Sequence, residues 1–234
     1  MVNDGRIRLR VLHTSDLHLA LLGDEACYSL EALVDLAIKT TVDLVIIVGD
    51  FFDHNRIDDD LVSFAVEQLQ RLPTCVAILP GNHDCLTSDS VFRRAHLWEK
   101  GTNIRVMSAP QGEILDLPGL GLSLWGKCID TYDRDAQPLA GIPKPQDNGR
   151  WHIAVAHGHF VSTEADIARS FRITHEEIVA SGWDYIALGH SAGFRCVCDE
   201  PVKAYYCGSP SLSGAVVIVD FAEETGVQVA QYAL

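Results

Sequence analysis

The chain has 234 residues, of which 47% are hydrophobic and 21% charged, and its formal net charge is −14. That balance is typical of a globular chain with a sizeable core, and so negative a charge disfavours a broad basic groove for nucleic acid. No apolar run approaches the ~20 residues that span a bilayer, and the N-terminus does not resemble a signal peptide. With seven cysteines scattered among apolar neighbours, these features predict a cytoplasmic protein with reduced thiols and no membrane partner.

Strands and helices alternate along the chain. Apolar runs predict strands at Ile7–His13, Leu44–Val48, Thr74–Leu79, Ile104–Met107, Gly112–Leu117, Leu122–Gly126, His152–Ala156, Tyr185–Leu188, Lys203–Tyr206, Val216–Asp220 and Val227–Tyr232. Helical spacing of apolar residues predicts helices at Tyr28–Thr40, Asp58–Leu72, Ser90–Lys100, Ile167–Arg172 and His175–Ser181. This order predicts a single α/β domain over residues 1–234, with a β-rich C-terminal part from about residue 200.

Polar side chains follow five of the predicted strands. They are Asp16 and His18, then Asp50 and Asp53, then Asn82, His83 and Asp84, then His157 and His159, and finally His190. Polar groups at the carboxyl ends of strands are typical of sites in open α/β sheets. Carboxylate oxygen and imidazole nitrogen suit Mn²⁺, Fe or Zn²⁺, and the absence of cysteine from these positions disfavours a structural thiolate zinc site.

Together these residue types suit a pair of divalent metal ions. Two ions roughly 3.5–4 Å apart, bridged by a carboxylate, would clamp the attacking and leaving oxygens of a phosphoryl transfer. A water shared between them would lose its proton near neutral pH and become the nucleophile.

In their order along the chain, these motifs resemble those of the calcineurin-like metallophosphoesterases. The matching motifs are Asp16-x-His18, Gly49-Asp50-x-x-Asp53, Gly81-Asn82-His83-Asp84, His157 and Gly189-His190, and the resemblance extends from about Arg8 to Pro210. Within the superfamily, the segments Gly49–Asp53 with Arg56, Asp184–His190 and Tyr206–Pro210 are most similar to the SbcD-type DNA repair exonucleases. The resemblance implies a four-layer α/β/β/α sandwich, in which two mixed β-sheets are flanked by helices.

The resemblance also implies roles for the matching residues. Asp16 and His18 would bind the first metal, Asp50 would bridge both metals, and Asn82, His157 and His190 would bind the second. His83 would protonate the leaving oxygen or stabilise the transition state, with Asp84 or Asp53 positioning a histidine or a nearby backbone group. The implied reaction is hydrolysis of a phosphodiester or phosphomonoester by metal-bound hydroxide, with Mn²⁺ as the first choice of metal and Fe or Zn²⁺ as alternatives. Substrates would range from nucleotides and small phosphodiesters to nucleic acid ends.

The chain departs from the family pattern in two respects. The last motif usually reads Gly-His-x-His, but position 192 is Ala, so we expect a weaker first metal site, with His159 or His13 as compensating ligands. SbcD-type nucleases carry further capping and partner-binding segments, so we expect a chain that stops at Leu234 to lack much of what binds DNA. His159 and Arg56 are also candidates for contact with substrate.

Other interpretations stay open at this point. Asp50 alone would also suit the N-cap of a following helix, and Asn82 alone would also stabilise a turn. A second hypothesis is a catalytically impaired relative that binds phosphate ligands or a protein partner, with Ala192 marking the loss of the first metal. A third is a nuclease subunit that depends on a partner for DNA binding. The oligomeric state is not predicted.

Overall fold

Two six-stranded β-sheets form the centre of the computed structural model, which describes residues 5–133, 135–162 and 170–234. In chain order the strands are β1 (Leu9–Thr14), β2 (Leu44–Val48), β3 (Cys75–Leu79), β4 (Ile104–Val106), β5 (Glu113–Leu117), β6 (Leu122–Gly126), β7 (Trp151–His157), β8 (His159–Val161), β9 (Arg172–Thr174), β10 (Tyr185–Gly189), β11 (Arg195–Cys198), β12 (Lys203–Tyr206), β13 (Ala215–Ala222) and β14 (Gly226–Ala233). The helices are α1 (Glu25–Lys39), α2 (Asp59–Gln70), α3 (Ala95–Trp98), α4 (His175–Ser181) and α5 (Pro210–Ser213).

Both large sheets are mixed. The first has the order β14-β13-β1-β2-β3-β4, with β1 to β4 parallel and β13 antiparallel to β1. The second has the order β11-β12-β10-β7-β6-β5, with β12, β10, β7 and β6 parallel. Because parallel strands share one direction, each sheet gathers the carboxyl ends of several strands at one edge.

Alternating side chains of the second sheet define the layers. Ile153 and Val155 of β7 lie in the core shared with the first sheet, whereas Ala154 and Ala156 pack on the opposite side with Ile178 of α4. Buried residues of α1 and α2 join the core of the first sheet. Helices therefore flank both sheets, and the implied four-layer α/β/β/α sandwich is confirmed.

Helix boundaries differ from the predictions at two places, where side chains hydrogen-bond to the backbone near the end of a helix. Helix α1 begins three residues early because the Asp24 side chain accepts a hydrogen bond from the Cys27 N–H and caps it. The continuous helix predicted at Ser90–Lys100 is wrong, since Arg94 has a ψ of 69° and separates a 3₁₀ turn from α3. The Arg94 guanidinium donates instead to the Asn55 carbonyl oxygen at 2.9 Å.

Two short strands, β8 and β9, were not predicted. The helix predicted at Ile167–Arg172 falls partly on residues 163–169, outside the described residues, and at Arg172 it is wrong because β9 begins there. Strands β8 and β9 have three residues each, of which two and one, respectively, are apolar, so neither forms the apolar run that predicts a strand. Over the described ranges, no helix has the length and apolarity required to cross a bilayer.

Candidate metal centre

Five strand ends, from β1, β2 and β3 of one sheet and β7 and β10 of the other, meet at this centre. The N–H groups of Asp16 and His18 donate to the Gly49 and Asp50 carbonyl oxygens, each at 3.0 Å, which joins the ends of β1 and β2. Across the sheets, the His190 N–H donates to Asp16 Oδ2 at 2.9 Å. The sequence segments that follow these strands therefore form one connected site.

Four of the predicted ligands have left-handed backbone conformations. The φ angles are 55° at Asp16, 54° at His18, 50° at Asp50 and 94° at His190. Such angles are uncommon outside glycine and cost on the order of 1–3 kcal/mol each, so they persist only where the surrounding structure enforces them. Asp50 therefore bends the chain toward the site and does not cap α2, which begins nine residues later.

Two glycines allow the strands to approach closely at this point. A Cβ at Gly49, where φ is +82°, would overlap the His157 imidazole. A Cβ at Gly189 would overlap the Val48 carbonyl oxygen. Glycine is required at both positions because it has no side chain to place there.

The first group of candidate ligands comprises Asp16, His18 and Asp50. One ligand atom from each lies within 4.8 Å of the others, and His18 Nε2 is 3.9 Å from Asp50 Oδ2. Asp50 is 2% exposed and Asp16 is 6% exposed. These are the residues that the resemblance assigns to the first metal.

The second group comprises Asp50, His157 and His190, again within 4.8 Å of one another. His157 Nε2 lies 3.1 Å from each of three atoms, Asp50 Oδ2, Asn82 Oδ1 and His190 Nδ1. Asp50 belongs to both groups, which is the arrangement expected of a bridging carboxylate.

Hydrogen bonding shows that this group fits a cation. His157 Nδ1 lies 2.8 Å from the Val48 carbonyl oxygen, which only accepts, so Nδ1 carries a proton and Nε2 faces the centre. In the neutral ring, Nε2 carries a lone pair. Asp50 Oδ2 and Asn82 Oδ1, each at 3.1 Å, would repel this lone pair unless a proton or a metal ion lies between the oxygens and Nε2. Burial lowers the pKa of His157, but the Asp50 carboxylate outweighs that effect and raises it to about 9. The donor set therefore fits a divalent cation.

Comparison with known proteins identifies the family. A family model described as calcineurin-like phosphoesterase matches residues 9–194. The chain belongs to the calcineurin-like phosphoesterases.

Two curated relatives, both from Bacillus subtilis (strain 168), are also phosphoesterases by name. The chain is 26% identical over 221 residues to the uncharacterized metallophosphoesterase YhaO and 25% identical over 190 residues to the uncharacterized metallophosphoesterase YkoQ. These matches cover 86% and 80% of this chain but only 53% and 62% of the relatives. The match thus spans about half the length of YhaO and about three fifths of the length of YkoQ.

Solved structures share the fold of this phosphoesterase at low identity. The protein TT1561 of Thermus thermophilus has a TM-score of 0.64 at 12% identity, covering 96% of this chain and 98% of its own. A structure described as a novel archaeal phosphodiesterase has a TM-score of 0.53 at 14% identity, covering 97% and 100%. At these identities the likeness extends to the fold alone.

Asp53 contacts two histidines of the phosphoesterase site. Its Oδ1 lies 3.1 Å from His18 Nδ1, which leaves His18 Nε2 directed to Asp50. Its backbone carbonyl oxygen lies 2.9 Å from His83 Nδ1, and the His18 and His83 rings meet edge to face with centroids 4.7 Å apart. Such outer-shell partners fix the tautomer and orientation of a metal-binding imidazole.

Asp84 contacts backbone groups instead. It is fully buried, and its carboxylate accepts from the Gly81 N–H at 2.7 Å, the Phe51 N–H at 2.9 Å and the Phe52 N–H at 3.1 Å. Burial and the charge of Asp50 raise the pKa of Asp84 to about 7. Asp84 therefore joins the ends of β2 and β3, which carry Asp50 and the Asn-His pair.

The candidates for compensation lie in different environments. His159 Nε2 is 2.7 Å from His190 Nε2, so His159 contacts a predicted ligand. His13 is fully buried with Nδ1 3.0 Å from the Tyr185 hydroxyl, and burial lowers its pKa to about 3. Among the described residues, no group of candidate ligands includes His13, and Ala192 offers no donor atom.

Two arginines complete the surroundings. Arg56 is exposed on the loop after β2, and its N–H donates to His54 Nδ1 at 3.2 Å, so its contact with substrate stays a prediction. Arg195, which sequence reasoning missed, lies on β11 beside the centre. Its position depends on pairing with a later strand, and no local sequence pattern indicates that pairing.

Proposed function

We propose that this chain is a dinuclear phosphoesterase that hydrolyses phosphodiesters or phosphomonoesters. Asp16, His18 and Asp50 would hold the first cation, and Asp50, Asn82, His157 and His190 the second. The observation that carries the proposal is a cluster of four potential ligand atoms. Asp50 Oδ2, Asn82 Oδ1 and His190 Nδ1 each lie 3.1 Å from the fourth, His157 Nε2. The bound cations supply positive charge that polarises the phosphoryl group and acidifies water. We propose Mn²⁺ as the native metal, because carboxylate, amide and imidazole donors suit it.

The protein's own residues orient the reacting groups. His83 Nδ1 donates to the Asp53 carbonyl oxygen, so Nε2 is the atom that donates a proton to the leaving oxygen. Asp53 orients His18 through its carboxylate, and Asp84 holds the Asp50 segment through backbone N–H groups. His83 is therefore proposed as the general acid, and Asp53 and Asp84 as positioning residues.

The test uses chelator-treated protein supplied with Mn²⁺, Fe²⁺ or Zn²⁺ and two chromogenic substrates, bis-p-nitrophenyl phosphate and p-nitrophenyl phosphate. His83→Asn is expected to lower kcat by about 10²–10⁴-fold, the usual contribution of a general acid, while both metal sites still fill. Asp50→Asn is expected to lose both activity and metal, and Asp60→Asn, exposed on α2, to match the wild type. Turnover unchanged in His83→Asn would refute the proposed acid.

A second function, phosphate-ligand or protein binding without turnover, is favoured by one observation, the lack of a donor at Ala192. Absence of turnover with all three metals, combined with retained binding of one equivalent of metal, would support it over hydrolysis. The SbcD-type similarity, a nucleotide or nucleic acid substrate and a nuclease partner are likewise proposals, supported by the sequence motifs alone. The cytoplasmic location is also a proposal, supported by the scattered cysteines. DNA cleavage only after addition of such a partner would support the nuclease subunit.

A further inference from the structure

A cavity of about 340 Å³ opens beside the candidate metal centre. His159 and His190 form part of its wall, so the cavity is continuous with the ligands of the second site. Ala192 contributes only a methyl group, and Arg195 and Tyr206 contribute polar side chains. A substrate held at the centre therefore has space for a further chemical group in this direction.

Hydrogen bonds hold the walls of this cavity in place. Tyr206 is 3% exposed, and its hydroxyl donates to the Gly158 carbonyl oxygen at 2.6 Å and accepts from the Phe160 N–H at 2.6 Å. On the other side, the Ser209 N–H donates to the Ala192 carbonyl oxygen at 3.1 Å. The cavity is thus formed before any ligand enters, which reduces the entropic cost of binding.

Arg195 is the permanent cation among the described residues that line the cavity. It lies opposite Tyr206 in the pairing of β11 with β12, and its guanidinium carbon is 5.6 Å from the centroid of the Phe160 ring. No carboxylate among the described residues forms an ion pair with Arg195. Although the chain has a net charge of −14, the N–H donors of the Arg195 guanidinium are thus available to a ligand beside the centre.

The remaining chemistry of the lining favours an anion. None of the described lining residues is acidic, and Ser162 and Ser191 add hydroxyl donors. A guanidinium recognises phosphate through parallel N–H donors, and the interaction is stronger than one between neutral groups. His159 is not needed for this role, because its Nε2 already contacts His190.

We infer that this cavity binds a second phosphate group of the substrate, next to the phosphoester that is cleaved, and that Arg195 selects for it. The inference rests on the proposed function, since it concerns the substrate of the same centre. Substrates with two phosphate groups, one cleaved and one retained, form the preferred class.

The experiment compares two esters that share a leaving group, thymidine 5′-(p-nitrophenyl phosphate) with and without a 3′-phosphate. With Mn²⁺, the wild type is expected to show a kcat/KM at least about tenfold higher for the 3′-phosphorylated ester, the effect expected of one hydrogen-bonded contact between charged groups. Arg195→Gln is expected to abolish the preference and Arg195→Lys to restore part of it. Arg8→Gln removes an equal charge at the other end of β1 and is expected to keep the preference.

A second measurement does not depend on turnover. Binding of inorganic phosphate to chelator-treated protein, measured by calorimetry, is expected to weaken about tenfold in Arg195→Gln and to stay unchanged in Arg8→Gln. Equal hydrolysis of both esters, or phosphate binding unaffected by Arg195→Gln, would overturn the inference and leave the proposed function standing. If neither ester were hydrolysed, the proposed function would fail, and the phosphate titration would still test whether the cavity binds phosphate through Arg195.

Discussion

Three carboxylates around the centre differ in what they contact. Asp50 faces imidazole nitrogens and also accepts from the His83 N–H at 2.9 Å. Asp53 faces His18, and Asp84 faces three backbone N–H groups. Substitution of each residue should therefore produce a different defect, although all three are aspartates in neighbouring motifs.

Asp53→Ala is expected to weaken Mn²⁺ binding at the first site by about 10–100-fold, the usual effect of losing an outer-shell partner. The reason is that His18 loses the acceptor that fixes its ring. The second site should change little, because Asp53 does not contact His157. A Mn²⁺ titration followed by electron paramagnetic resonance measures both affinities. Asp60→Ala is the matched control, and equal weakening of both sites would contradict the role given to Asp53.

Ala192→His is expected to strengthen the first site, by on the order of 10–100-fold, since loss of even an outer-shell partner has that effect. The wild type should accordingly show two unequal affinities in the same titration. Gly193→His adds an imidazole one position further along, where a side chain has open space, and should leave the first site unchanged. Two equally tight sites in the wild type would show that another residue already supplies the missing donor.

At the level of elements, the centre depends on how closely two strand ends approach. Gly189 of β10 lies against the Val48 carbonyl oxygen of β2, so the two sheets meet without a side chain between them. Buried strands such as β2 were predictable because a continuous apolar run of five residues, bounded by turn residues, is typical of a strand that is buried on both faces.

Gly189→Ala is expected to lower the free energy of unfolding by roughly 1–3 kcal/mol or more, since the clash involves backbone that cannot rotate away. Urea denaturation, followed by circular dichroism, measures this difference. Gly193→Ala introduces the same methyl group into open space and should have a much smaller effect. Equal losses in the two variants would show that the approach of the two sheets is not the cause.

The limits of sequence reasoning follow from the same elements. The convergence of Asp16 with Asp50 was predictable, because the neighbouring parallel strands β1 and β2 bring their carboxyl ends to one edge. His157 lies at the end of β7 in the other sheet, and only the resemblance to the family indicated that it would join them. The left-handed backbone of the ligands was not predictable, since the surrounding packing enforces it. Arg195 was missed because its place beside the centre depends on the pairing of β11 with β12, which no local sequence pattern indicates. Whether residues 1–234 form a single domain stays a prediction.

For the whole molecule, the centre links stability to pH. In the metal-free protein the pKa of His157 rises from its ordinary value of 6.5 to about 9, so the folded state binds this proton more tightly than the unfolded state. That contribution is fully present below about pH 6.5 and is lost as the pH rises through about 9. Asp84, with its pKa raised to about 7, acts in the same direction at lower pH, and buried thiols such as Cys128 and Cys207, whose pKa values burial raises above 9.0, act in the same direction at higher pH. Comparison with a variant that lacks His157 therefore isolates its contribution.

Chelator-treated protein is therefore expected to lose up to about 3 kcal/mol of stability between pH 6.5 and 9, from a pKa shift of this size. Urea denaturation at a series of pH values measures the loss, and His157→Gln should lack it above pH 7. Saturating Mn²⁺ should raise the stability and remove the decline, because the cation replaces the proton. A decline of the same size in His157→Gln would assign the effect to other groups.

The left-handed conformations at Asp16, His18, Asp50 and His190 lower the stability of the fold, although the proposed function requires these side chains. Glycine would relieve the steric strain at each of these positions, because it enters that region of backbone space without a steric clash. Selection for stability of the metal-free fold alone would therefore replace the candidate ligands one at a time. Where metal is absent, the most stable variants of this chain are expected to be those that can no longer bind an ion.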